Sequence, residues 1–319
     1  FLSDHAAAQL CDTTPFDYEE RLDHCLLTGV EIITPDDAAY PDRLRDLPDM
    51  PLVLYVTGES ACLNGHRYVG MVGTRRPTKY GLSACRDLSL TMAERGVVIV
   101  SGLAEGLDGA GHRAAVEAGT PTVAFLGTAI DTTYPAANVK LRQRIEKGGG
   151  AVCSEYPPGY QGKQKGTFLA RNRLIAGLSE VLCVAEARIR SGTLNTVSHA
   201  ESLGRPVLAV PGSIYSAQSQ GTNELLRSGR AGVLCQAADV LACMGVESES
   251  AAPEQSAFAV EQTSPDAQAV YAALGPTPKG VDELAAATGL SASRVLAACT
   301  ELELYGGAQS QPGRRYVAL

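Results

Sequence analysis

The sequence has no apolar run that approaches the roughly 20 residues of a membrane-spanning helix, and it shows no signal peptide. Its nine cysteines include no C-x-x-C pair, and its five histidines lack the spacing of metal ligands. These absences argue against a disulfide framework and a zinc site. They favour a cytoplasmic protein with reduced thiols, no membrane partner, no metal and no other cofactor.

The sequence also lacks the motifs of two common enzyme classes. It has neither the G-x-x-x-x-G-K-[ST] loop of P-loop NTPases nor the G-x-S-x-G elbow of hydrolases. Gly109–Ala114 matches G-x-G-x-x-A, but a dinucleotide-binding motif must stand on the turn between a strand and a helix. We place this match inside a helix and interpret it as accidental.

A surplus of positive charge is absent as well. The 319 residues include 27 Lys and Arg against 35 Asp and Glu, a formal net charge of −8. This balance counts against indiscriminate binding of nucleic acid but allows a local basic groove, because charges are screened over about 8–10 Å. Residues 155–175 carry four cations against one acid and are the local exception.

Apolar runs of strand length alternate with helix-length segments through the middle of the chain. The predicted strands are Tyr68–Val72, Val97–Val100, Thr122–Leu126, Ala151–Cys153, Val181–Ala185 and Pro206–Val210. Continuous Val, Ile and Leu runs are typical of a parallel sheet that is covered on both faces. We therefore predict an α/β fold, a doubly wound, Rossmann-like domain over residues 62–243.

The flanking segments differ from the centre. Residues 1–61 are predicted to be a short helical N-terminal segment that leads into an extended run at Pro51–Gly58. Residues 244–265 are rich in Glu, Ser, Ala, Pro and Gln and are predicted to be a flexible linker. Residues 266–319 contain three helical segments and a short closing strand, which indicates a winged-helix module.

Small and polar residues follow the predicted strands. The strand-end segments are Gly73–Pro77, Ser101–Asp108, Gly127-Thr128, Arg190–Thr193 and Pro211–Ser213. Because the carboxyl ends of parallel strands meet at one edge, we expect an anion-binding crevice there. The amides of Gly73 and Thr74 are expected to hold a phosphate, with Arg75 beside them.

The segment Gly166–Ser179 places Phe168, Arg171 and Arg173 at the start of a predicted helix, with Lys163 and Lys165 just upstream. A ring for base stacking beside cations for phosphate is typical of a site for single-stranded nucleic acid. The alternative is a structural helix with a basic first turn, although helix starts usually favour acids.

The pair Asp108 and His112, and the single residue Glu155, each allow two interpretations. Asp108 and His112 would share a helix face, either as an acid–base couple or as a structural hydrogen bond, and we favour the second. Glu155 is either a lone carboxylate in the crevice or a loop anchor, and we again favour the second.

Six segments, in order, resemble the DNA-processing protein A (DprA/Smf) family. They are Gly70–Pro77, Ser101–Asp108 followed by His112, Ser154–Gly159, Gly166–Ser179, Glu186–Thr196 and Ala209–Asn223. The family usually has Gly-Ser-Arg where this chain has Gly73-Thr74-Arg75. Its front domain, a sterile-alpha-motif-like fold, is matched here by a segment that looks short.

The resemblance implies a non-enzymatic homodimer that binds single-stranded DNA without sequence preference, protects incoming DNA during natural transformation and loads the RecA recombinase. It implies direct DNA contacts at Arg75, Lys165 and Phe168. Arg171 and Arg173 match the family's Arg-Asn-Arg, and we expect them to contact phosphate or to support the pocket. Val207–Cys243 is our candidate for self-association, with ordinary core as the alternative.

Two rival functions share the crevice. A nucleotide-processing phosphoribohydrolase of the lysine-decarboxylase-like (LOG) group has a similar sheet and a catalytic Glu after a Gly-rich turn. Here the corresponding turn, Arg190–Thr196, is not followed by an acid at the expected place. A small-nucleotide sensor is the other rival, and it would not require Phe168.

The predicted recognition helix of the winged-helix module, Ser291–Leu304, sets Arg294 against Glu301 and Glu303 and would repel a duplex. We expect this module to contact protein or to regulate, with Arg314 and Arg315 as its only nucleic-acid contacts. Deleting residues 246–319 should therefore weaken oligo-dT binding less than about tenfold in a titration. A larger loss would contradict the assignment of DNA binding to the central domain.

Overall fold

The computed structural model describes residues 18–161, 164–246, 263–275, 278–305, 307–311, 313 and 315–318. The chain divides into two compact units, Phe1–Ser248 and Glu249–Leu319. Within the described residues, no helix is long and apolar enough to cross a membrane.

The first unit is built on a nine-stranded sheet within the described residues. Its strands are β1 (Glu31–Ile33), β2 (Leu54–Gly58), β3 (Arg67–Val72), β4 (Val97–Ser101), β5 (Thr122–Phe125), β6 (Ala151–Ser154), β7 (Val181–Val184), β8 (Val207–Ala209) and β9 (Gly232–Val233). Their order across the sheet is β1-β2-β6-β5-β4-β3-β7-β8-β9. From β6 to β9 all neighbours in this order are parallel, whereas β2 is antiparallel to both β1 and β6.

Helices connect and cover these strands. They are α1 (Tyr18–Thr28), α2 (Asp42–Arg45), α3 (Lys79–Glu94), α4 (Leu107–Ala118), α5 (Val139–Lys147), α6 (Gln164–Leu178), α7 (Thr193–Ser202), α8 (Gln220–Arg227) and α9 (Ala237–Cys243), with 3₁₀ turns at Ser60–Leu63 and Ala136–Asn138. The chain moves from β3 out to β6 and then returns to β7 on the other side of β3. This reversal opens a crevice beyond the carboxyl ends of β3 and β7.

The central strands are apolar throughout because both of their faces are covered. Val98 and Val100 of β4 belong to the core on one side of the sheet, and Val97 and Ile99 belong to the core on the other. All four side chains are at most 3% exposed. The predicted doubly wound α/β fold is confirmed, and each of the six predicted strands is present.

The segment that we predicted to be helical, residues 1–61, contributes two strands as well as helices α1 and α2. In β2, Leu54 and Val56 are buried while Tyr55 and Thr57 are partly exposed. Such alternation is typical of an antiparallel strand with one covered face. The segment thus extends the sheet by hydrogen bonds to β6, and its residues 1–17 lie outside the described part.

The second unit contains α10 (Pro265–Ala273), α11 (Val281–Thr288) and α12 (Ala292–Leu304), with an antiparallel sheet of β10 (Lys279–Gly280), β11 (Ala308–Gln311) and β12 (Arg315–Ala318). This is the predicted winged-helix arrangement. The charges of α12 are used internally: Arg294 pairs with Asp266 and Glu301 accepts from Ser264. Arg315 donates to the Pro278 carbonyl at 2.8 Å, and Arg314 lies outside the described residues.

His112 is held neutral in the core between α4 and β5. Its Nδ1 lies 2.8 Å from the Thr122 hydroxyl, which itself donates to the Ile99 carbonyl at 2.6 Å. The hydroxyl proton is therefore in use, so Nδ1 must be the donor and Nε2 carries no proton. Burial, assisted by the charges of Arg171 and Arg113, lowers the pKa of His112 to about 3. His112 bonds Thr122 rather than Asp108, so the sequence pair is not an acid–base couple.

A neutral buried histidine makes stability depend on pH. Above about pH 6.5 it is neutral in both states and has no effect, but at lower pH only the unfolded chain takes up the proton. Between about pH 6.5 and 5 the unfolding free energy should fall with decreasing pH, by up to about 1.4 kcal/mol per pH unit from this residue. Urea unfolding at pH 6.5 and pH 5 should show a smaller fall in unfolding free energy for His112→Gln than for the wild type. An equal fall in the two proteins would contradict this account.

Candidate nucleic-acid interface

A cavity of about 320 Å³ opens beyond the carboxyl ends of β3, β4 and β7. The start of α6 forms one wall and the start of α7 another. Its lining includes Gly73, Thr74, Arg75, Phe168, Arg171 and Asn172. Two segments that are distant in the sequence, Gly73–Arg75 and the first turns of α6, therefore meet at one site.

The loop after β3 is fixed by its own hydrogen bonds. The Thr74 N–H donates to the Glu186 carbonyl at 2.8 Å, and the Thr74 carbonyl accepts from the Leu107 N–H at 3.3 Å. We expected the Thr74 amide to hold a phosphate, but this is wrong, because the amide already joins the ends of β3 and β7. A Cβ on Gly73 would lie 2.3 Å from the Leu107 side chain, so the close packing here requires glycine.

Arg75 and Phe168 lie against each other at the mouth of the cavity. Arg75 is exposed, and its guanidinium carbon stands 5.5 Å from the centroid of the half-buried Phe168 ring. The Tyr134 ring packs against Phe168 with a centroid distance of 5.5 Å and an angle of 44°. A Cβ on Gly127 would stand 2.9 Å from the Phe168 Cα, so the start of α6 lies directly on the strand end after β5.

Tyr134 is a candidate that sequence reasoning missed. Its side chain is 45% exposed, and it offers a second aromatic surface beside Phe168. It lies in the loop between β5 and α5. An aromatic residue in a strand-end loop was the available signal, but only the fold places it against a ring 34 positions further along the chain.

Of the two predicted lysines, the structure describes only the backbone of Lys165. Lys165 lies in the first turn of α6, three positions before Phe168, and residues at this spacing share a helix face. Its side chain lies outside the described part, as does the whole of Lys163. The Lys165 backbone lies in the turn of α6 that precedes Phe168.

Arg171 lies beneath the cavity and is only 3% exposed. Its Nη1 donates to the Gly102 carbonyl at 2.7 Å and also to the Phe125 carbonyl. A Cβ on Gly102 would stand 2.5 Å from the guanidinium, so Gly102 makes room for it. Burial lowers the pKa of Arg171 to about 10, although the charge of the buried Asp108 opposes this shift. Arg171 therefore remains a cation at neutral pH.

Arg173 anchors the helix on the side away from the cavity. Its terminal nitrogens bond both carboxylate oxygens of Glu155 at 2.6 and 2.7 Å, and its Nε pairs with Asp49 at 2.7 Å. Glu155 therefore acts as a loop anchor rather than a lone carboxylate in the crevice. Of the two roles expected for Arg171 and Arg173, the geometry favours support of the pocket over phosphate contact.

Further cations and a buried acid lie in the segment that follows β7. Arg188 and Arg190 are exposed, and the Arg188 Nε donates to Gln218 at 3.2 Å, which also accepts from the Thr74 hydroxyl at 3.4 Å. Glu186 is 1% exposed and accepts both the N–H and the hydroxyl of Thr78, at 2.9 and 2.6 Å. Its carboxylate is thus bound to the residue that caps α3.

Two family models match the chain. The model of DNA recombination-mediator protein A matches residues 31–245, and that of the DprA winged helix domain matches residues 251–314. The chain is 38% identical over 309 residues to the putative DNA processing protein DprA of Mycobacterium tuberculosis, covering 92% of this chain and 79% of the relative.

Two solved structures share the fold. The DNA processing protein A of Streptococcus pneumoniae is 39% identical with a TM-score of 0.62, over 69% of this chain and 77% of that one. A Helicobacter pylori structure, which concerns the single-stranded DNA binding mode of its DNA processing protein A, is 32% identical with a TM-score of 0.60. It covers 67% of this chain and 95% of that one.

The buried and exposed arginines of the site should respond differently to the same substitution. Arg171→Lys replaces the fork that holds two carbonyls, so it should lower the unfolding free energy by about 1.5–3 kcal/mol. Arg75→Lys should change it by less than about 0.5 kcal/mol, because the side chain is exposed. Urea unfolding of both variants gives the comparison, and equal losses would remove the assigned structural role of Arg171.

Proposed function

The chain belongs to the DNA recombination-mediator protein A family, and we propose that it binds single-stranded DNA in the crevice beyond the carboxyl ends of its central strands. The contact between the exposed Arg75 and the half-buried Phe168 supports this proposal most directly. It joins a phosphate-binding cation and a base-stacking ring at one cavity.

The chemistry of the two side chains suits a strand of any sequence. A guanidinium fork matches the oxygens of a phosphate, and phosphate contacts do not read bases. Stacking on an aromatic ring is worth roughly 1–3 kcal/mol per base and is tolerant of sequence, since every base has a π-face. The proposed binding is therefore independent of sequence and requires bases that are not paired in a duplex.

The crevice residues divide by their exposure. We assign direct contact to Arg75, Lys165 and Phe168, and phosphate approach to the backbone at Gly73. Arg171 and Arg173 hold α6 in place through buried partners, so we assign them an indirect role. This division retains all the predicted positions except the Thr74 amide, whose hydrogen bond to Glu186 is already made.

We extend the proposal to the cellular role that the family implies. The protein would protect incoming DNA during natural transformation, load RecA onto it as a homodimer, and do so without catalysing a reaction. Val207–Cys243 remains our candidate for self-association. In support, β9 at the sheet edge exposes Val233, and Cys235 beside it is also exposed.

A salt series tests the crevice. Oligo-dT binding should be measured across salt concentrations for the wild type, Arg75→Ala, Lys165→Ala and Phe168→Ala. Each charge removal should flatten the log–log salt slope by about 0.7, the value for one single-strand phosphate contact. Phe168→Ala should weaken binding with the slope nearly unchanged, because stacking releases no counterion.

The matched control is Arg86→Ala, which removes an exposed arginine of α3 that pairs with Glu117 of α4. It should leave both affinity and slope unchanged. If the three crevice variants bind oligo-dT as the wild type does, the proposed groove is wrong.

A further inference from the structure

A second group of charges lies at the opposite edge of the sheet, where the parallel strands begin. Arg67 starts β3, Glu180 directly precedes β7, and Arg205 stands two positions before β8. The three strands are neighbours, tied at this edge by the Glu180 N–H to the Tyr68 carbonyl at 2.8 Å and the Leu182 N–H to the Pro206 carbonyl at 2.9 Å. Arg43 joins them from α2; these four residues are the arginine cluster.

The Glu180 carboxylate accepts hydrogen bonds from two residues of β3. The Arg67 Nε lies 3.0 and 2.9 Å from its two carboxylate oxygens, and the Tyr68 N–H donates to it at 3.2 Å. Arg67 also donates to the Met244 carbonyl. The carboxylate is 17% exposed and Arg67 is 43% exposed, so this pair forms the outer part of a partly buried site.

Arg43 and Arg205 are different, because neither guanidinium has a hydrogen bond or ion pair to any residue that the structure describes. Both side chains are half-buried, and the Nε of each is buried without a partner. Burial lowers the pKa of Arg43, and the positive charge of Arg205, the largest contribution from a charged group, lowers it further. Glu180 opposes these effects. The two guanidinium groups are therefore close enough to repel each other.

Two half-buried cations are costly when the one carboxylate of the cluster, Glu180, is already paired with Arg67. Three guanidinium groups against one carboxylate leave two positive charges in excess. A phosphate monoester carries about −1.5 to −2 charges at pH 7 and offers three acceptor oxygens. Arginine forks match these oxygens in geometry. A phosphate could neutralise both excess positive charges, whereas one further carboxylate ligand would neutralise only one of them.

We propose that the arginine cluster is a binding site for a terminal phosphate group, with Arg43 and Arg205 as its principal ligands. The site is separate from the crevice, because β3 alone spans about 20 Å between the two edges at about 3.3 Å per residue. Its ligand is a free phosphate, a nucleotide, or the phosphorylated end of a DNA strand. The proposal does not depend on DNA binding in the crevice.

Calorimetric titration of the full chain with inorganic phosphate, at constant ionic strength, tests the site. We expect saturable binding of one phosphate per chain. Arg205→Met, which keeps the apolar stem and removes the charge, should weaken it at least about tenfold, since hydrogen bonds to charged groups carry more than that factor. Arg86→Met should bind phosphate as the wild type does.

Two measurements separate this site from a folding defect and from the crevice. Arg205→Met should unfold at no lower temperature than the wild type in phosphate-free buffer, because it removes one of two repelling cations. It should also bind 5′-hydroxyl oligo-dT unchanged. If Arg205→Met binds phosphate as the wild type does, the cluster proposal is overturned, and unchanged oligo-dT binding by the same variant leaves the crevice proposal intact.

Competition experiments identify the source of the phosphate. In an Arg75→Ala, Phe168→Ala background, displacement of inorganic phosphate by 5′-phosphorylated but not 5′-hydroxyl oligo-dT would assign a strand end. Displacement by nucleoside monophosphates alone would assign a small ligand, and either result supports the site. If the chain does not bind inorganic phosphate with saturation, the site is overturned. The same holds if a Glu-rich peptide, titrated as an alternative anion, is the only ligand that saturates the chain.

Discussion

The buried guanidinium of Arg171 is the interaction on which the crevice depends. It brings α6 to the carbonyl ends of two strands, at Gly102 after β4 and Phe125 in β5. A buried carbonyl that loses its donor costs about 1–3 kcal/mol, so these strand ends favour α6 in one position. Phe168 lies one turn earlier on the same helix, and its place beside Arg75 follows from that position. The glycines at 102 and 127 admit the helix because a Cβ at either would collide with it.

The fold could be predicted from the sequence because its strongest signals are local. Continuous apolar runs mark β3 to β8, and glycine with hydroxyl residues marks the strand ends that form the crevice. The strands of the N-terminal segment gave a weaker sequence signal. Strand β1 is only three residues long, and it lies at the sheet edge with β2 as its neighbour. Hydrogen bonds between distant segments decided their place in the sheet.

The roles of the site residues depended on partners that no local pattern reveals. Arg171 and Arg173 look alike in sequence, yet one bonds strand carbonyls and the other pairs with Glu155 and Asp49. The Thr74 amide looked free until the Glu186 carbonyl was placed opposite it. Their positions after predicted strands and at a helix start could predict that cations and an aromatic ring lie at this edge. Which of them face solvent is set by tertiary packing.

The stacking of Arg75 on Phe168 has a thermodynamic consequence for any ligand of that ring. One face of the Phe168 ring is covered by the Arg75 guanidinium, and Tyr134 packs against the same ring. In the proposed complex, a base that stacks on this face exchanges with Arg75, and the cation–π attraction is subtracted from the stacking energy gained. The displaced guanidinium would then be free to pair with a phosphate of the bound strand. Under the proposed binding mode, stacking on Phe168 and phosphate contact by Arg75 are coupled, so that the free energy of each depends on whether the other is made.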